Sequence, residues 1–458
     1  MRGIVSYGVY LPRHRLSREA IRTTLGQGGG KGTRSVAGYD EDTTSMAVEA
    51  ARRARWNGSF EPESLQFATT APAYADKTNA NAIHAALELA PSVFATDHAG
   101  SVRSAVGALR AAAADGGLAV MSDVRVGRPG SADEAGGGDG AVAFLFGAGD
   151  GVIAEVIGQA SATAEFLDRW RAPGETASNT WEERFGLSEY MPLIGDAAAR
   201  ALADAGVQAP DHVVISSPHA RAARTAAKQF GRAAADELEP VVGYLGAAHL
   251  GVRLADVLER AAPAETILVV SAADGADALV LRVTDAIGAR PDGAAPHAQL
   301  EGSDLDYATF LTWRGRLQRE PPRRPDPVRP DAPPSARATR WKYAFVGSRC
   351  SACGRVHVPP QRVCAGCGKT DEMEPEPMAH KRGTVATFTI DRLAYSLSPP
   401  VIQAVIDFDG GGRVSCELTE CAVDQVHVGT RIEMTFRRMY SAQGVHNYFW
   451  KARPVDAE

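Results

Sequence analysis

Cysteine is absent from most of this chain. Residues 1–349 contain none, and all six cysteines lie between 350 and 421. A mechanism that needs a thiolate nucleophile is therefore excluded from the first three-quarters of the sequence.

Long hydrophobic runs are also missing. No run approaches the roughly 18 apolar residues that a membrane-spanning helix needs. The opening residues, MRGIVSYGVYLPRHRLS, lack the apolar core and small-residue cleavage site of a signal peptide and instead predict a strand and a turn. We therefore expect a cytoplasmic protein with no membrane partner.

An excess of positive charge is the third absence. The formal net charge is −6 and the pI is about 6.0, so the whole chain has no general attraction for nucleic acid or anionic lipid. What is present is an ordinary globular composition, 45% hydrophobic and 23% charged, over 458 residues. That length predicts about two to four domains.

The first 288 residues alternate helical patterns with short apolar runs. Thr43 to Ala54 and Ala220 to Phe230 are typical of helices, whereas Leu65 to Thr70 and Thr266 to Ser271 are typical of buried strands. This alternation predicts an α/β layered fold. Because residues 1–160 and 161–288 have similar content, we predict that they are duplicated halves.

Residues 289–344 predict a linker, because the stretch begins rich in Gly, Ala and Pro. Ser303 with Asp306 offers a helix N-cap signal, and apolar residues at helical spacing follow, which predicts a short docking helix. The proline-rich stretch 321–334 is expected to be extended, either as a spacer or as an arm on a partner subunit.

Four of the cysteines form two Cys-x-x-Cys pairs. These are Cys350, Cys353, Cys364 and Cys367. Two such turns aim four thiolates at one tetrahedral centre and leave no position for a reactive water, so we predict a structural zinc ion in a ribbon at 345–375. Iron uses the same ligands, and the sequence does not separate the two metals. A redox pair or disulfides would not explain the paired spacing.

The other metal-binding side chains near the ribbon receive structural interpretations. His357 lies between the pairs and is expected to pack or to face solvent, since four thiolates suffice. Cys416 and Cys421 are expected to lie in or beside strands as inert small side chains.

Residues 376–458 predict five short strands separated by glycine-rich turns. Five strands in this length fit a small closed barrel of the OB type. Such barrels often bind nucleic-acid strands, and basic and aromatic residues do alternate here. Acidic residues dilute that patch, so nucleic-acid binding is the weakest of the alternatives.

The C-terminal part resembles the zinc-ribbon/OB-fold proteins that accompany thiolase-superfamily enzymes acting on acyl-CoA. The resemblance is carried by Trp341-Lys342-Tyr343, the four cysteines with Pro359-Pro360 between them, Gly383-Thr384-Val385, and the turns at Pro399-Pro400 and Gly411-Gly412-Arg413. It covers about residues 303–458. It implies a coenzyme A ester as ligand and a thiolase-family catalytic subunit as partner.

The first 288 residues resemble hydroxymethylglutaryl-CoA synthase and the ketoacyl synthase III group of the thiolase superfamily. The motifs are Gly8-Val9-Tyr10-Leu11-Pro12, Ala99-Gly100-Ser101 opening a helix after a Phe94–Asp97 strand, Gly138-Asp139-Gly140-Ala141, Pro218-x-x-Arg221, and Gly243 with Ala247-Ala248. Their order along the chain is more specific than any one of them.

The resemblance also assigns positions to the family's catalytic residues, and this sequence departs from the pattern at each. His98 stands where the nucleophilic cysteine belongs, and Thr70 where an acid/base glutamate belongs. Ser216 and His219 occupy the His-x-x-Asn element, and Tyr244 occupies the asparagine of a Gly-Asn element. A covalent Claisen condensation is therefore not expected.

Two functions follow from these departures. On the first hypothesis, the thiolase-like part is a non-catalytic homodimer within a hetero-oligomer; it scaffolds a partner thiolase and helps to bind acyl-CoA for thiolysis or acyl transfer. On the second, the altered pocket is a cysteine-independent retro-aldol lyase for a 3-hydroxyacyl-CoA, with His98, His219 and Tyr244 as the acid/base and donor groups.

Overall fold

The computed structural model describes residues 2–54, 61–230, 237–289, 295–323 and 325–455. Residues 290–294 of the predicted linker and Arg324 of the proline-rich stretch lie outside these ranges. The chain divides into two compact units. Unit 1 comprises Met1–Gly38, Asp42–Asn81 and Ala90–Leu317, and unit 2 comprises Tyr39–Glu41, Ala82–Leu89 and Gln318–Glu458.

Unit 1 contains the α/β layers. Its strands are β1 (Arg2–Tyr10), β2 (His14–Ser17), β3 (Thr33–Val36), β4 (Ser64–Thr69), β5 (Phe94–Ala99), β6 (Leu118–Asp123), β7 (Gly140–Ala148), β8 (Ala154–Ala162), β9 (Arg169–Trp170), β10 (Asn179–Thr180), β11 (His212–Ser216), β12 (Thr266–Ala272), β13 (Ala276–Val283) and β14 (Ser303–Leu305). Its helices are α1 (Arg18–Leu25), α2 (Thr43–Ala54), α3 (Ala80–Ala86, which enters unit 2 at Ala82), α4 (Ser104–Asp115), α5 (Ala132–Gly136), α6 (Glu183–Ala205), α7 (Ala220–Phe230), α8 (Glu239–Val242), α9 (His249–Leu258) and α10 (Tyr307–Trp313).

The main sheet of unit 1 has nine strands in the order β11-β12-β13-β8-β1-β7-β6-β4-β5. From β1 outward, two antiparallel pairings (β1 with β7, β7 with β6) are followed by the parallel pairing of β6 with β4. From β8 outward the same succession recurs, with β13, β12 and β11. The predicted duplicated α/β fold is therefore confirmed.

Parallel strands buried on both faces explain the sequence pattern. Every residue of β4, β6 and β12 is buried. The sequences of β6 and β12 are mainly apolar runs, whereas Gln66 interrupts the apolar residues of β4. The helices α4 and α9 contribute alanine, valine and leucine side chains to the same core cluster as β1 and β7. Because the strands themselves are buried, polar residues can come together where the parallel strands end, at their carboxyl ends.

Some local predictions need correction. Strand β5 continues through His98 to Ala99, and α4 begins only at Ser104, so Ala99-Gly100-Ser101 does not open the helix. The predicted docking helix exists as α10, but its cap is Asp306, whose carboxylate accepts a hydrogen bond from the Thr309 amide at 2.8 Å. Ser303 lies in β14 instead, paired with β2.

Helix α10 packs within unit 1, where Tyr307 and Phe310 join a small core cluster with Leu16, Ile21 and Val36. The predicted extended stretch 321–334 is also partly helical, because its last residues begin the helix Ala332–Arg337. Proline is tolerated in the first helical turn, where its missing N–H would have no partner.

Unit 2 contains the ribbon and the barrel. Its helices are α11 (Ala332–Arg337) and α12 (Thr339–Lys342), and its strands are β15 (Val346–Cys350), β16 (Val356–His357), β17 (Met373–Pro377), β18 (Gly383–Asp391), β19 (Val401–Phe408), β20 (Arg413–Leu418), β21 (Arg431–Ala442) and β22 (Val445–Pro454). Strands β16-β15-β17 form a three-stranded sheet, and β18-β19-β20-β22-β21 close into a barrel. The predicted ribbon and OB-type barrel are confirmed.

A buried charge cluster stabilises unit 2. Lys451 is 1% exposed, and its Nζ lies 2.9 Å from Asp40 Oδ2 and 2.6 Å from Glu417 Oε1. Burial opposes ionisation of Asp40, but Lys451 and Arg437 outweigh it and hold the pKa of that carboxyl below its usual value. The cluster is thus a set of charges that stabilise one another only while all are present.

The search for membrane-spanning helices among the described residues finds none that is both long and apolar enough.

Candidate functional site

The four predicted ligand sulfurs converge in the ribbon. The Sγ atoms of Cys350 and Cys367 are 3.7 Å apart, those of Cys353 and Cys364 are 3.5 Å apart, and all four lie within 4.8 Å of one another. Zn–S bonds of about 2.3 Å in a tetrahedron give S···S edges of about 3.8 Å. The donor set and its spacing therefore fit a structural zinc ion.

Glycines shape both turns that present the sulfurs. Gly354 and Gly368 have φ of +76° and +74°, which side chains disfavour. Their amides donate to the carbonyls of Cys350 and Cys364 at 2.8 and 2.9 Å. Backbone donors, above all the amide of Cys367, lower the pKa of Cys364, while at Cys353 a backbone donor is outweighed by the neighbouring thiols, which raise its pKa. The sulfurs therefore share their protons as one interacting group.

The remaining cysteines and His357 lie where the sequence places them. His357 is buried at the end of β16, and Cys416 is buried in β20 of the barrel. Burial raises the pKa of the Cys416 thiol to about 12, so this side chain remains protonated and unreactive. Neither residue belongs to the four-sulfur group.

The barrel's basic residues are paired with carboxylates. Arg413 contacts Asp407 at 2.5 Å, and Arg431 contacts Asp409 at 2.5 Å. Arg453 bridges to Glu433 at 2.6 Å. This pairing neutralises much of the charge that a nucleic-acid backbone would attract.

In unit 1, the backbone fixes Tyr244 against a glycine-rich turn. The Tyr244 amide donates to the Gly136 carbonyl at 2.8 Å, and the Gly138 amide donates to the Tyr244 carbonyl at 3.0 Å. Gly243 has φ +79°, and a Cβ there would lie 2.4 Å from the Gly137 carbonyl oxygen. The Gly243-Tyr244 pair is thus dictated by the close approach of two chain segments.

The side chain of Tyr244 points into a buried polar site. Its ring lies 4.7 Å from the His249 ring and 6.0 Å from the Arg125 guanidinium carbon. Its hydroxyl and that of neighbouring Ser216 are both buried, and neither has a hydrogen-bond partner of good geometry among the described residues. Burial raises the pKa of Tyr244 to about 12, so its hydroxyl keeps its proton at neutral pH.

Thr70 is locked in the same region by Asp123. The Asp123 carboxylate accepts hydrogen bonds from the Thr70 amide and hydroxyl, both at 2.9 Å, and from the Ala247 amide at 2.8 Å. Arg125 also donates to the Thr70 hydroxyl, at 3.2 Å. Thr70 follows β4 and Asp123 ends β6, so the parallel strands bring them together at their carboxyl ends.

A cavity of about 620 Å³ opens beside Tyr244 and His249. Five cationic side chains line it against two carboxylates, Asp133 and Glu239; the cations are Arg125, Arg169, Arg224, Lys228 and Arg253. Arg224 and Lys228 are exposed one helical turn apart on α7, and neither has an ion-pair partner within the described part of the chain. The cavity is therefore suited to an anionic ligand.

His219 lies at the start of α7 with both ring nitrogens engaged. Its Nδ1 accepts from the Ala222 amide at 3.0 Å, so its Nε2 donates to the Glu183 carbonyl at 2.9 Å. The ring also lies 5.8 Å from that of Tyr190. In this arrangement His219 caps a helix and has no nitrogen left for proton transfer.

His98 lies on the edge strand β5 and hydrogen-bonds Gln66 at 2.8 Å through Nε2. Burial lowers the pKa of His98, opposed by Asp97, and so favours the neutral ring. Neither the 620 Å³ cavity nor a neighbouring one of about 570 Å³ includes His98 in its lining. Of the five predicted positions, Ser216 and Tyr244 therefore meet, and Thr70 lies near them through Arg125. His219 lines the neighbouring cavity, whereas His98 lies elsewhere.

Sequence reasoning missed Asp123, Arg125 and His249. Asp123 carried a usable signal, since it ends a short apolar run that forms β6, and parallel pairing with β4 brings it to Thr70. Arg125 carried none, because it meets Thr70 and Tyr244 only through the fold. His249 lies five positions after Tyr244, but no motif marked it.

Comparison with known proteins decides the family. A hydroxymethylglutaryl-CoA synthase of Archaeoglobus fulgidus is 32% identical over 346 residues, covering 69% of this chain and 100% of that protein. The chain belongs to the hydroxymethylglutaryl-CoA synthase family. A second synthase, from Methanosphaera stadtmanae, is 29% identical over 347 residues and is covered over 99% of its length.

Solved structures support the same fold for unit 1. A hydroxymethylglutaryl-CoA synthase complexed with CoA aligns with a TM-score of 0.59 at 15% identity, over 68% of this chain and 89% of that one. The 3-oxoacyl-(acyl carrier protein) synthase III of Pseudomonas aeruginosa PAO1 aligns with a TM-score of 0.54 at 20% identity, over 62% and 98%. At these identities the likeness establishes the thiolase-like fold alone.

The C-terminal residues match two further family models. Residues 342–374 match "ChsH2, rubredoxin-like zinc ribbon domain", and residues 376–437 match "ChsH2, C-terminal OB-fold domain". A synthase-family unit is therefore joined in one chain to a zinc ribbon and an OB-fold.

Proposed function

We propose that this chain binds an acyl-CoA in unit 1 without forming a thioester to the protein, and that it works as a subunit beside a thiolase that supplies the nucleophile. The observation that carries the proposal is the cavity itself: its walls are cationic, and no cysteine lies anywhere in residues 1–349. A ligand can be held there, but acyl transfer to a thiolate cannot start there.

The cavity offers separate places for the two ends of coenzyme A. Arg224 and Lys228 are unpaired cations at its exposed side and suit phosphate groups. Tyr244, which lines the cavity, offers a buried hydroxyl to a thioester carbonyl, and the Ser216 hydroxyl lies beside it. A synthase with this fold has been solved with CoA, which supports the same ligand class here.

The ribbon and barrel provide the reason to expect a partner. Proteins with this pair of modules resemble those that accompany thiolase-superfamily enzymes, and unit 2 uses four of its six cysteines for the zinc site. We infer that unit 2 contacts the catalytic thiolase and that unit 1 dimerises as part of the complex. The reaction would then be thiolysis or acyl transfer, with this chain holding the ester.

Binding and covalency can be tested on the full-length protein. Calorimetric titration with CoA and acetyl-CoA should show binding that weakens by at least tenfold in an Arg224→Ala/Lys228→Ala variant, since two phosphate contacts are lost. Arg200→Ala removes an exposed cation that pairs with Asp196 on α6, away from the cavity, and should change nothing. Intact-mass analysis after incubation with acetyl-CoA should show unmodified protein; a stable acyl adduct would overturn the proposal.

The partner is tested by mixing. The purified chain, added to a thiolase from the same organism, should raise the rate of thiolysis of a 3-ketoacyl-CoA above that of the thiolase alone. Unchanged rates and no co-elution on size exclusion would argue that the chain works by itself.

A second candidate is favoured by the buried, unpartnered hydroxyls of Tyr244 and Ser216. In retro-aldol cleavage of a 3-hydroxyacyl-CoA, the C3 hydroxyl gives its proton to a solvent water, the C2–C3 bond breaks, and the electron pair moves onto the thioester as an enolate. The enolate then takes one proton from solvent at C2, so that no net proton is gained or lost. Hydroxyl donors stabilise that enolate oxygen. The geometry leaves this role to Tyr244, since His219 has no free nitrogen and His98 lies outside the cavity.

The lyase hypothesis can be tested by an activity assay. The wild-type chain, alone or with its partner, should release an aldehyde or ketone from a 3-hydroxyacyl-CoA, and Tyr244→Phe should abolish the release while CoA affinity stays unchanged. His98→Ala should keep full activity. No carbonyl product from the wild type under either condition rules the lyase out.

A further inference from the structure

A second cavity of about 570 Å³ adjoins the first within unit 1. The two share five wall residues, Ala132, Asp133, Arg169, Pro218 and Ala220. The second cavity is bounded by the hairpin of β9 and β10, which contributes Trp170 and the adjoining Trp181. The two cavities are therefore neighbours, and the Arg169–Asp133 ion pair lies in their common wall.

The hairpin is held from several sides. Arg169 makes two hydrogen bonds with the Asp133 carboxylate, at 2.9 and 2.7 Å. The Trp181 amide donates to the Asp168 carbonyl at 2.8 Å, and Arg128 donates to the Asn179 side chain at 3.0 Å. These contacts fix where the two indoles stand without using the indoles themselves.

The indoles form an open aromatic surface. Their ring centroids are 6.4 Å apart with planes tilted by 43°, and Trp181 is 58% exposed. Neither indole N–H has a hydrogen-bond partner among the described residues. Two large rings that line a cavity, one of them mostly exposed and both with an N–H donor available, are suited to contact with a flat ligand.

Charge separates the roles of the two cavities. The first has five cations against two carboxylates, whereas the second has two cations, Arg128 and Arg169, against the three carboxylates Asp133, Asp168 and Glu183. Phosphates therefore favour the first cavity. Because the acyl group leaves the thioester carbon in the direction opposite to the CoA arm, the second cavity is left for the acyl group.

We propose that the Trp170–Trp181 pair makes the second cavity an acyl subsite that selects uncharged acyl groups containing a planar ring. The inference rests on the proposed binding of acyl-CoA and adds the substrate class. The volume agrees, since about 570 Å³ lies within the size range of pockets for drug-sized ligands and greatly exceeds what an acetyl group needs. Stacking on indole faces then gives a ring an advantage over a flexible chain.

The test compares two esters with the same number of acyl carbons, phenylacetyl-CoA and octanoyl-CoA, with free CoA as the reference. Calorimetry on the full chain should show that Trp181→Ala weakens the binding of phenylacetyl-CoA by about tenfold, as expected when a ring stack and its buried area are lost. The same substitution should weaken the binding of octanoyl-CoA less than that of phenylacetyl-CoA, and it should leave the affinity for free CoA unchanged. Trp181→Phe should restore part of the lost affinity.

Trp313→Phe is the matched control, since Trp313 packs beside His14, at a ring distance of 4.9 Å, and lines neither cavity. It should leave all three affinities unchanged. Equal losses for the phenyl and octanoyl esters in Trp181→Ala, or no loss for either, would overturn the ring-selective subsite while CoA binding stands. Failure of wild-type protein to bind free CoA would instead overturn the proposed function, and this inference with it.

Discussion

In the ribbon, all four predicted ligand sulfurs lie within 4.8 Å of one another and satisfy one tetrahedral centre. In the cleft of unit 1, by contrast, the hydroxyls of Tyr244 and Ser216 are buried without a partner, and Arg224 and Lys228 face a cavity unpaired. The thiols of the ribbon thus serve the structure of unit 2. Unit 1 contains hydroxyl and cationic groups that lack a hydrogen-bond or ion-pair partner of good geometry within the described ranges.

The difference distinguishes a structural site from a binding site. A group that stabilises the fold is satisfied in the free protein, while a group that serves a ligand carries a desolvation cost that the ligand relieves. Each of the following substitutions or treatments tests whether a residue stabilises the fold or serves a ligand, beginning with the largest expected effect.

Removal of the metal should have the largest effect. Chelation, or Cys350→Ser/Cys353→Ser, should unfold residues of about 345–375, because structural zinc in small domains supplies about 10–16 kcal/mol of apparent folding free energy. Hydrogen exchange should rise across β15–β17 and stay low in β4 and β6. Cys421→Ser, outside the four-sulfur group, should retain the zinc. A ribbon that stays protected without metal would contradict the structural assignment.

Breaking the buried charge cluster should come next. Lys451→Met leaves Asp40 and Glu417 buried without their cation and should cost unit 2 about 3–5 kcal/mol. Because the folded-state pKa of Asp40 is lowered, its stabilisation is present above its unfolded pKa of about 3.9 and is lost as pH falls below that value. Urea unfolding should therefore show a wild-type advantage at pH 7 that shrinks below about pH 4.

The control for that cluster is a surface pair. Lys369 contacts Glu372 at 3.2 Å with both side chains exposed. Lys369→Met should change the unfolding free energy by no more than about 1 kcal/mol. Similar losses in the two variants would mean that burial of Lys451 contributes nothing.

Thr70→Val tests a satisfied residue beside the cleft. The substitution removes the hydroxyl that donates to Asp123 and accepts from Arg125, leaving a buried carboxylate short of a donor. Thermal and urea unfolding should show a loss of about 1–3 kcal/mol. An unchanged free energy of unfolding would indicate that the Thr70 hydroxyl does not stabilise the fold.

Tyr244→Phe should have the smallest effect on folding. The hydroxyl has only its weak contact with Ser216 to lose, so the unfolding free energy should stay within about 1 kcal/mol of wild type or rise. A clear destabilisation would show that the hydroxyl is structural. Unchanged stability together with an altered affinity for an acyl-CoA would assign it to the ligand.

The sequence predicted the elements whose signals are local. Two Cys-x-x-Cys turns bring their ligands together almost regardless of context, and buried parallel strands read as apolar runs wherever they pack. The start of α4 and the cap of α10 were misplaced, since Ala99-Gly100-Ser101 and Ser303 each offered a helix signal that a neighbouring strand overrode.

The cleft was only partly predictable. Family resemblance singled out Ser216 and Tyr244, which the fold brings together. It also singled out His98, which lies outside both cavities, and His219, whose two ring nitrogens are engaged with the backbone. Resemblance assigns positions along the chain. Whether a side chain faces the cavity depends on the strand or helix that carries it.

The sequence by itself determined where the thiols are, and so fixed both the zinc ribbon and the absence of a thiolate nucleophile from residues 1–349. Only the tertiary structure decided that Arg125 and Asp123 meet Thr70 near Tyr244, and that Trp170 and Trp181 line a cavity beside a cationic one. The reason is physical. Metal ligands three positions apart are set by a turn, whereas a cleft is made of side chains from distant segments whose approach depends on packing of the whole unit.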